Sequence, residues 1–427
     1  MDIKEGKEIL LKRSNAFHER YFRAYGQMML RVDDKTYLMS RNNLRLTTLK
    51  ESDIDLYDIN TGDIGQIFRS RPDVNAMVFI CTEASVFFSQ SHSVMKPALD
   101  DLAQIIGPDV PVLDSSSAPE ILRALKSRHG CFIKGSGIFS IGKDIEEAIA
   151  GARILEKSAE CELYAHKVHG LKYLSPEQAQ RLSDFYDRTY SKVNKSGTVD
   201  FVSSGPEEFQ MRNEIIEVGK RMAWEDLVQG TWGNISMRLN DHEMLITPSG
   251  MDYFNIRIED IVRVDLNTLE YGLQRTPSSE CRLHAGIYRS DPNCNAILHT
   301  HSNGISVFAA AHAGFRISDP EMHAVIGDLH CSEYQMPGTD ELTASVMEAL
   351  SGSHACIIAN HGALFCSHDI RIALAIAGAC ETRACNLLGF NSMINSGSET
   401  AGPAAVRVLS QESDILTRAT IEVPRIQ

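Results

Sequence analysis

Two histidines two residues apart, His299 and His301, close the apolar run Asn295-Ala296-Ile297-Leu298-His299-Thr300-His301-Ser302. As a strand, this run places residues i and i+2 on one face, so both imidazoles point the same way. Such a pair suits the gripping of a single metal ion. A third candidate, His361, follows the apolar run Ala355–Ala359 in Asn360-His361-Gly362. Three imidazoles with one open position describe a catalytic rather than a structural zinc site. The same ligand set admits Mn2+ or Fe2+. Strand ends are also where sites gather in α/β folds. Upstream stands Glu280, in Pro277-Ser278-Ser279-Glu280. It reads either as a first-turn capping acid or as a general base beside the metal. His284 follows it by four residues, on the same helix face, and reads as a support for the site rather than a ligand.

A second set of residues suits an anion. Gln229-Gly230-Thr231-Trp232-Gly233-Asn234-Ile235-Ser236 combines glycines that allow close backbone approach with the donors Thr231 and Asn234. Thr247-Pro248-Ser249-Gly250 is another small-residue turn after a strand. Ser278 and Ser279 precede a helix, where free N–H groups and the dipole favour phosphate or carboxylate. Each of these segments can equally be an ordinary turn or cap.

The elements that must position these groups occur twice. Leu38–Thr61 matches Leu245–Thr268 at an offset of 207 residues, pairing Leu38 with Leu245, Asp53 with Asp260 and Asp58 with Asp265. Ile67–Pro72 matches Ile287–Pro292 at an offset of 220, and His129–Ala148 matches His354–Ala373 at an offset of 225. Three blocks in one order, with small insertions between them, indicate duplication. The copies differ at the chemistry: His299, His301 and His361 are met by Phe79, Cys81 and Ser136. The expectation is one metal per chain, in the second half only, with the first half a frame kept for packing, oligomer geometry or regulation.

Each half alternates helices and strands, which gives an α/β class with helices layered on a sheet. Expected helices span Glu8–Tyr25, Glu207–Gln229, Glu280–Tyr288, Gly304–Ala311 and Asp369–Leu388. Expected strands include Thr36–Met39, Glu243–Thr247 and Ala355–Ala359, with a further strand and helix before the last of these. The division is 1–170 for a domain without metal ligands, 171–205 for a connector, 206–400 for the catalytic domain and 401–427 for a tail. In the connector, Ser175-Pro176-Glu177 starts a helix and Lys192–Gly205 is a linker. The tail carries a short strand at Ile421–Val423.

Bulk properties set limits. The chain has 427 residues, 43% apolar and 23% charged, the balance of a soluble globular protein. A formal net charge of -14 disfavours nucleic acid and anionic membranes as partners. No apolar run approaches the roughly 20 residues that span a bilayer. Residues 1–7 lack a signal-peptide core, so the expected location is cytoplasmic. The ten cysteines contain no Cys-x-x-Cys pair and read as buried free thiols.

Taken together the motifs resemble the class II aldolase/adducin family. The resemblance runs from about Pro206 to Leu388, and a degenerate copy covers most of the first half. It is carried by Gly230-Thr231-x-Gly233-Asn234-Ile235-Ser236, Leu245–Gly250, Ser278-Ser279-Glu280, Arg282-Leu283-His284, His299-Thr300-His301 and Asn360–Leu364. It implies two tandem α/β/α domains around mostly antiparallel sheets, with zinc on His299, His301 and His361. It implies phosphate binding by Thr231, Asn234, Ser249, Gly250, Ser278 and Ser279. The implied reaction is retro-aldol cleavage of a small ketose phosphate of the fuculose, rhamnulose or ribulose type. Zinc chelates the ketose oxygens and Glu280 exchanges the proton at the enediolate carbon. Epimerase, decarboxylase or dehydratase chemistry uses the same metal frame, and adducin-like members are interaction modules without the histidines. Where family aldolases carry a tyrosine after a histidine, this chain has His323-Ala324, with Tyr334 near in sequence. His323 and Tyr334 are therefore candidate supports. A homo-oligomer is implied, either a dimer of two-domain chains imitating a tetramer or a tetramer.

Overall fold

A computed structural model describes residues 1–15, 25–42, 44–188, 205–272 and 275–390. The first half holds nine strands: β1 (Tyr25–Arg31), β2 (Thr36–Ser40), β3 (Leu44–Arg45), β4 (Ile54–Asp58), β5 (Ala76–Cys81), β6 (Val94–Met95), β7 (Val110–Leu113), β8 (Gly130–Ile133) and β9 (Gly137–Gly142). Its helices are α1 (Ile3–Ser14), α2 (Gly62–Ser70), α3 (Glu83–Ser91), α4 (Asp100–Ile105), α5 (Ala118–Ala124) and α6 (Ile145–Tyr164). A connector helix, α7 (Pro176–Arg188), leads to the second half. There the strands are β10 (Asn234–Arg238), β11 (Glu243–Ile246), β12 (Val262–Asp265), β13 (Ala296–Thr300), β14 (Ala355–Ile358) and β15 (Gly362–Ser367). Its helices are α8 (Pro206–Trp224), α9 (Cys281–Ser290), α10 (Asn303–Ala311), α11 (Pro320–Ile326), α12 (Asp340–Ala349) and α13 (Ile370–Leu388).

The duplication seen in the sequence reappears as topology. The order β4-β2-β1-β5-β9-β8 in the first half is repeated as β12-β11-β10-β13-β15-β14 in the second. Every one of these pairings is antiparallel. Each sheet buries both faces. Along β13, Ala296 and Leu298 face the apolar layer of α8, α10 and α13, while Ile297 faces the layer of α9 and α12. Along β5, Val78 and Ile80 face α6 while Met77 faces α2 and α5. Period-two alternation in a strand buried on both faces makes this an α/β/α sandwich. The first half extends its sheet past β8 through the parallel strand β7 and then β6.

Three expectations are corrected. The first helix starts at Ile3, not Glu8, because Asp2 and Glu5 form a capping box around its first turn. It ends at Ser14, and Tyr25 is already in β1; residues 16–24 lie outside the described part. The helix expected to reach Gln229 stops at Trp224, where the chain turns through Asp226 in a left-handed conformation (φ 56°). The strand expected before β14 is reduced to one parallel bridge, Cys331 to Ile357, at the place that β7 fills in the first half. Its pairing consists of Ser332 N–H to the Ile357 carbonyl and Ile357 N–H to the His330 carbonyl. Pro337 and Gly338 (φ 80°) then turn the chain away.

Ser175 starts α7 as expected, accepting from Gln178 N–H at 3.2 Å. The linker expected up to residue 205, but for Gly205 itself, and the strand expected at Ile421–Val423 lie outside the described residues. All ten cysteines are free thiols. Among the described residues no helix is long and apolar enough to cross a membrane.

Candidate metal centre

The three histidines converge. β13 is a central strand, with Asn234 of β10 opposite His299 on one side and Leu364 of β15 opposite it on the other. His361 sits in the β14–β15 turn, which closes through Asn360 in the left-handed region (φ 57°). One nitrogen from each of His299, His301 and His361 lies within 4.8 Å of the others. It is the one group of three such ligands found among the described residues. The ring centroids are 4.6 Å apart for His299 and His301, 5.0 Å for His299 and His361, and 4.9 Å for His301 and His361. All three side chains are buried, and Trp232 tilts over His301 at 5.6 Å.

The strands come this close because glycine lines the approach. A Cβ on Gly362 would lie 2.2 Å from the Thr300 carbonyl oxygen and 3.2 Å from the His299 ring. A Cβ on Gly233 (φ 77°) would lie 2.6 Å from the His299 carbonyl oxygen. Gly362→Ala is therefore expected to push β15 off β13 and cost about 1–3 kcal/mol of stability, read as a lower urea midpoint. An unchanged midpoint would mean that the two strands have slack the geometry does not show.

The orientation of the rings fits an ion. His299 Nδ1 is 2.9 Å from the Ala363 carbonyl oxygen, which fixes the proton there and turns Nε2 inward. His361 Nδ1 faces Asp100 Oδ2 at 3.0 Å, and His301 Nδ1 faces Asp101 Oδ2 at 3.7 Å. His299 Nε2 makes no hydrogen bond although Glu280 Oε2 stands 3.2 Å away, as suits a nitrogen whose lone pair faces a cation, and His301 Nδ1 is likewise buried without one. Burial pushes His299 down to about 4 and His301 down to about 3, so both are neutral ligands at pH 7. Burial acts the same way on His361, but Glu280 and Asp100 outweigh it and push its pKa up to about 10.

Glu280 stands at the N-cap of α9, and its carboxylate lies between the imidazoles. Oε1 is 2.9 Å from His361 Nε2, and Oε2 is 3.2 Å from His299 Nε2. Asn234 Nδ2 donates to Oε2 at 2.8 Å. Burial raises the pKa of Glu280, but its neighbours His299 and His361, with the hydrogen bonds to His361 and Asn234, hold it well below the usual carboxylate range. Asn234, expected on the phosphate, here donates through Nδ2 to Glu280, while its Oδ1 is buried without a partner.

The remaining predicted residues divide. An antiparallel bridge between Pro248 and Pro277 brings Ser249 and Ser278 onto neighbouring segments, with Ser278 N–H donating to the Thr247 carbonyl. Gly250 (φ 69°) completes that turn, Ser279 is exposed, and Thr231 lies in the turn before β10. His284 is fully buried and bonds Ser236 Oγ through Nδ1 at 2.6 Å, tying α9 to β10; burial lowers its pKa to about 3. His323, on α11, pairs through Nε2 with Asp328 Oδ1 at 2.9 Å. The Tyr334 hydroxyl reaches the cluster indirectly, through Asp100.

Sequence reasoning missed Asp100, Asp101 and Lys157. All three belong to the first half, which was expected to stand apart from the chemistry. A signal was present: Asp100 and Asp101 interrupt the apolar stretch Ala98-Leu99 and Leu102-Ala103, and Lys157 follows the buried Ile154-Leu155 in α6. Charges on apolar faces call for buried partners.

The sequence is similar to known proteins over both halves. The model of the class II aldolase and adducin N-terminal domain matches residues 16–163 and again 213–387. A 5-deoxy-D-ribulose 1-phosphate aldolase of Bacillus thuringiensis serovar kurstaki is 31% identical over 175 residues, 40% of this chain and 80% of that protein. An L-fuculose phosphate aldolase of Haemophilus influenzae is 34% identical over 180 residues, 41% of this chain and 81% of that protein. A solved L-fuculose 1-phosphate aldolase is 30% identical with a TM-score of 0.41, covering 50% of this chain and 98% of that one.

Proposed function

The chain belongs to the class II aldolase and adducin family, and on that premise we propose that its second half is a metal-dependent lyase performing retro-aldol cleavage of a small ketose phosphate. The observation that carries this reading is the set of three buried imidazoles with Nδ1 turned outward around the Glu280 carboxylate. His299, His301 and His361 would hold the ion, zinc by preference and Mn2+ or Fe2+ as alternatives. When bound, such a cation supplies Lewis acidity that offsets negative charge developing on the ketose oxygens.

The chain's own groups then have distinct tasks. Cleavage breaks a carbon–carbon bond, releases an aldehyde whose hydroxyl proton is lost, and leaves an enediolate that must regain a proton at carbon. Glu280 handles that proton, oriented by Asn234 Nδ2. Thr231, Ser249, Gly250, Ser278 and Ser279 form the seat for the phosphate, through backbone N–H groups and hydroxyls. Burial excludes water from the reacting carbon. The expected assembly is a homo-oligomer of two-half chains.

The test is a screen of pentulose and hexulose 1-phosphates with zinc-loaded protein. Wild type is expected to cleave at least one of them. Glu280→Gln is expected to be about 10²–10⁴-fold slower on that substrate while still holding metal. Loaded protein that cleaves none of them would overturn the aldolase reading. A second reading, epimerase or decarboxylase chemistry on the same frame, gains support from Ala324, which stands where family aldolases carry a tyrosine. The same screen, followed for isomer or carbon dioxide, separates the two.

A further inference from the structure

The first half reaches into the metal centre of the second. A histidine that ligates through one ring nitrogen depends on what the other nitrogen meets, because that partner sets the tautomer and the angle of the ring. His299 draws its partner, the Ala363 carbonyl, from its own sheet. His361 draws its partner from across the chain, from Asp100 at the start of α4, and next to it Asp101 Oδ2 stands 3.7 Å from His301 Nδ1, a charge beside the ring rather than a hydrogen bond.

The delivery of α4 is built by several independent contacts. Asn360, immediately before His361, donates through Nδ2 to the Ala98 carbonyl at 2.9 Å and to the Lys172 carbonyl at 2.7 Å. Its own carbonyl accepts from Asp100 N–H at 2.7 Å. The turn that carries His361 and the turn that starts α4 are thus stapled by a side-chain bond one way and a backbone bond the other. Behind α4, Ala103 packs on Leu174, Ala179 and Leu182 of the connector, together with Tyr334 and Met336 of the second half. Lys157 holds Asp101 from the other side. Asp100 and Asp101 are each 1% exposed, so neither is there for solubility.

We propose that Asp100 is a positioning residue for the metal ligand His361, which it fixes through Nδ1, and that Asp101 adds its buried negative charge beside His301. The first half, with no ligand trio of its own among the described residues, completes the metal centre of the second. This rests on reading the histidine trio as a metal site, and the experiment separates the two ideas.

Full-length wild type, Asp100→Ala, Asp100→Asn and Asp101→Asn are loaded with zinc and titrated with a competing chelator. The same proteins are loaded with cobalt and their visible spectra recorded. Wild type binds one ion, and Asp100→Ala binds it about 10–100-fold more weakly. Asp100→Asn, which keeps the shape and an acceptor oxygen but not the charge, falls between. The cobalt bands move in all three variants, a change at the ligands that loosened packing alone would not produce. Asp226→Asn removes a carboxylate that Arg153 meets across the halves and keeps wild-type affinity and spectrum. If Asp100→Ala does not fold, the two asparagine variants decide. Wild-type affinity with unmoved cobalt bands in both overturns the proposal while leaving the metal site standing. A wild-type chain that takes up no ion overturns the metal reading and this inference with it.

Discussion

Replacing His299 and His301 together by alanine is expected to abolish stoichiometric metal and to lower lyase turnover by on the order of 10³-fold or more. The magnitude follows from the several kcal/mol of charge stabilisation a metal supplies at a developing oxyanion, with each 1.36 kcal/mol worth a factor of ten. The two residues are adjacent on one face of β13, and with only His361 left no ion has three protein ligands. The chain itself supplies a control. β5 has the same place in its sheet as β13, with Phe79 and Cys81 where the histidines would be, and Ser136 in the turn that matches His361. Elemental analysis is therefore expected to find one ion in wild type rather than two, and none in the double variant. Circular dichroism keeps loss of metal apart from loss of fold. Two ions per chain, or one that survives the double replacement, would place the metal elsewhere and remove the basis for the proposed reaction.

What was legible in the sequence was what is local or periodic. His299 and His301 declare themselves by alternation on an apolar run, because a strand has a period of two. The tandem fold was legible because matched blocks recur in order, and the two sheets indeed share one strand order. The start of α1 and the missing strand before β14 were not, since capping at Asp2 and the turn at Pro337 depend on a few atoms rather than on a pattern. Hidden most deeply was the reach of the first half. Asp100 is 261 residues from His361, and no spacing rule connects them. Comparing the halves for lost ligands made the first half look inert, because a residue that serves the other copy leaves no mark in the alignment of the two. Only the burial of charges in α4 and α6 pointed to partners elsewhere.

Lys157→Met is expected to destabilise the full chain by about 3–5 kcal/mol, the cost of stranding one member of a buried ion pair. Lys157 and Asp101 have no exposed side-chain surface. The ammonium bonds Asp101 Oδ2, Gln229 Oε1 at 3.2 Å and the His301 carbonyl at 3.4 Å, so all three donors are used and they span both halves. Burial would raise the Asp101 pKa, yet the Lys157 charge holds it far below the ordinary carboxylate range. Methionine keeps most of the length and the apolar stem but leaves that carboxylate in an apolar setting with only His301 near. The loss should appear as a lower urea midpoint, with the halves unfolding in separate steps, since the pair is one of the bolts between them. Replacing both members tells charge from packing. Lys157→Met with Asp101→Leu leaves no orphaned charge and should recover more than half of the lost stability, while metal affinity stays low because His301 has lost the charge beside it. A double variant as unstable as the single one would show that the space, and not the charge, is what Lys157 satisfies. Recovery of metal affinity along with stability would instead detach Asp101 from the metal centre and leave Asp100 as the one carboxylate the first half lends to the second.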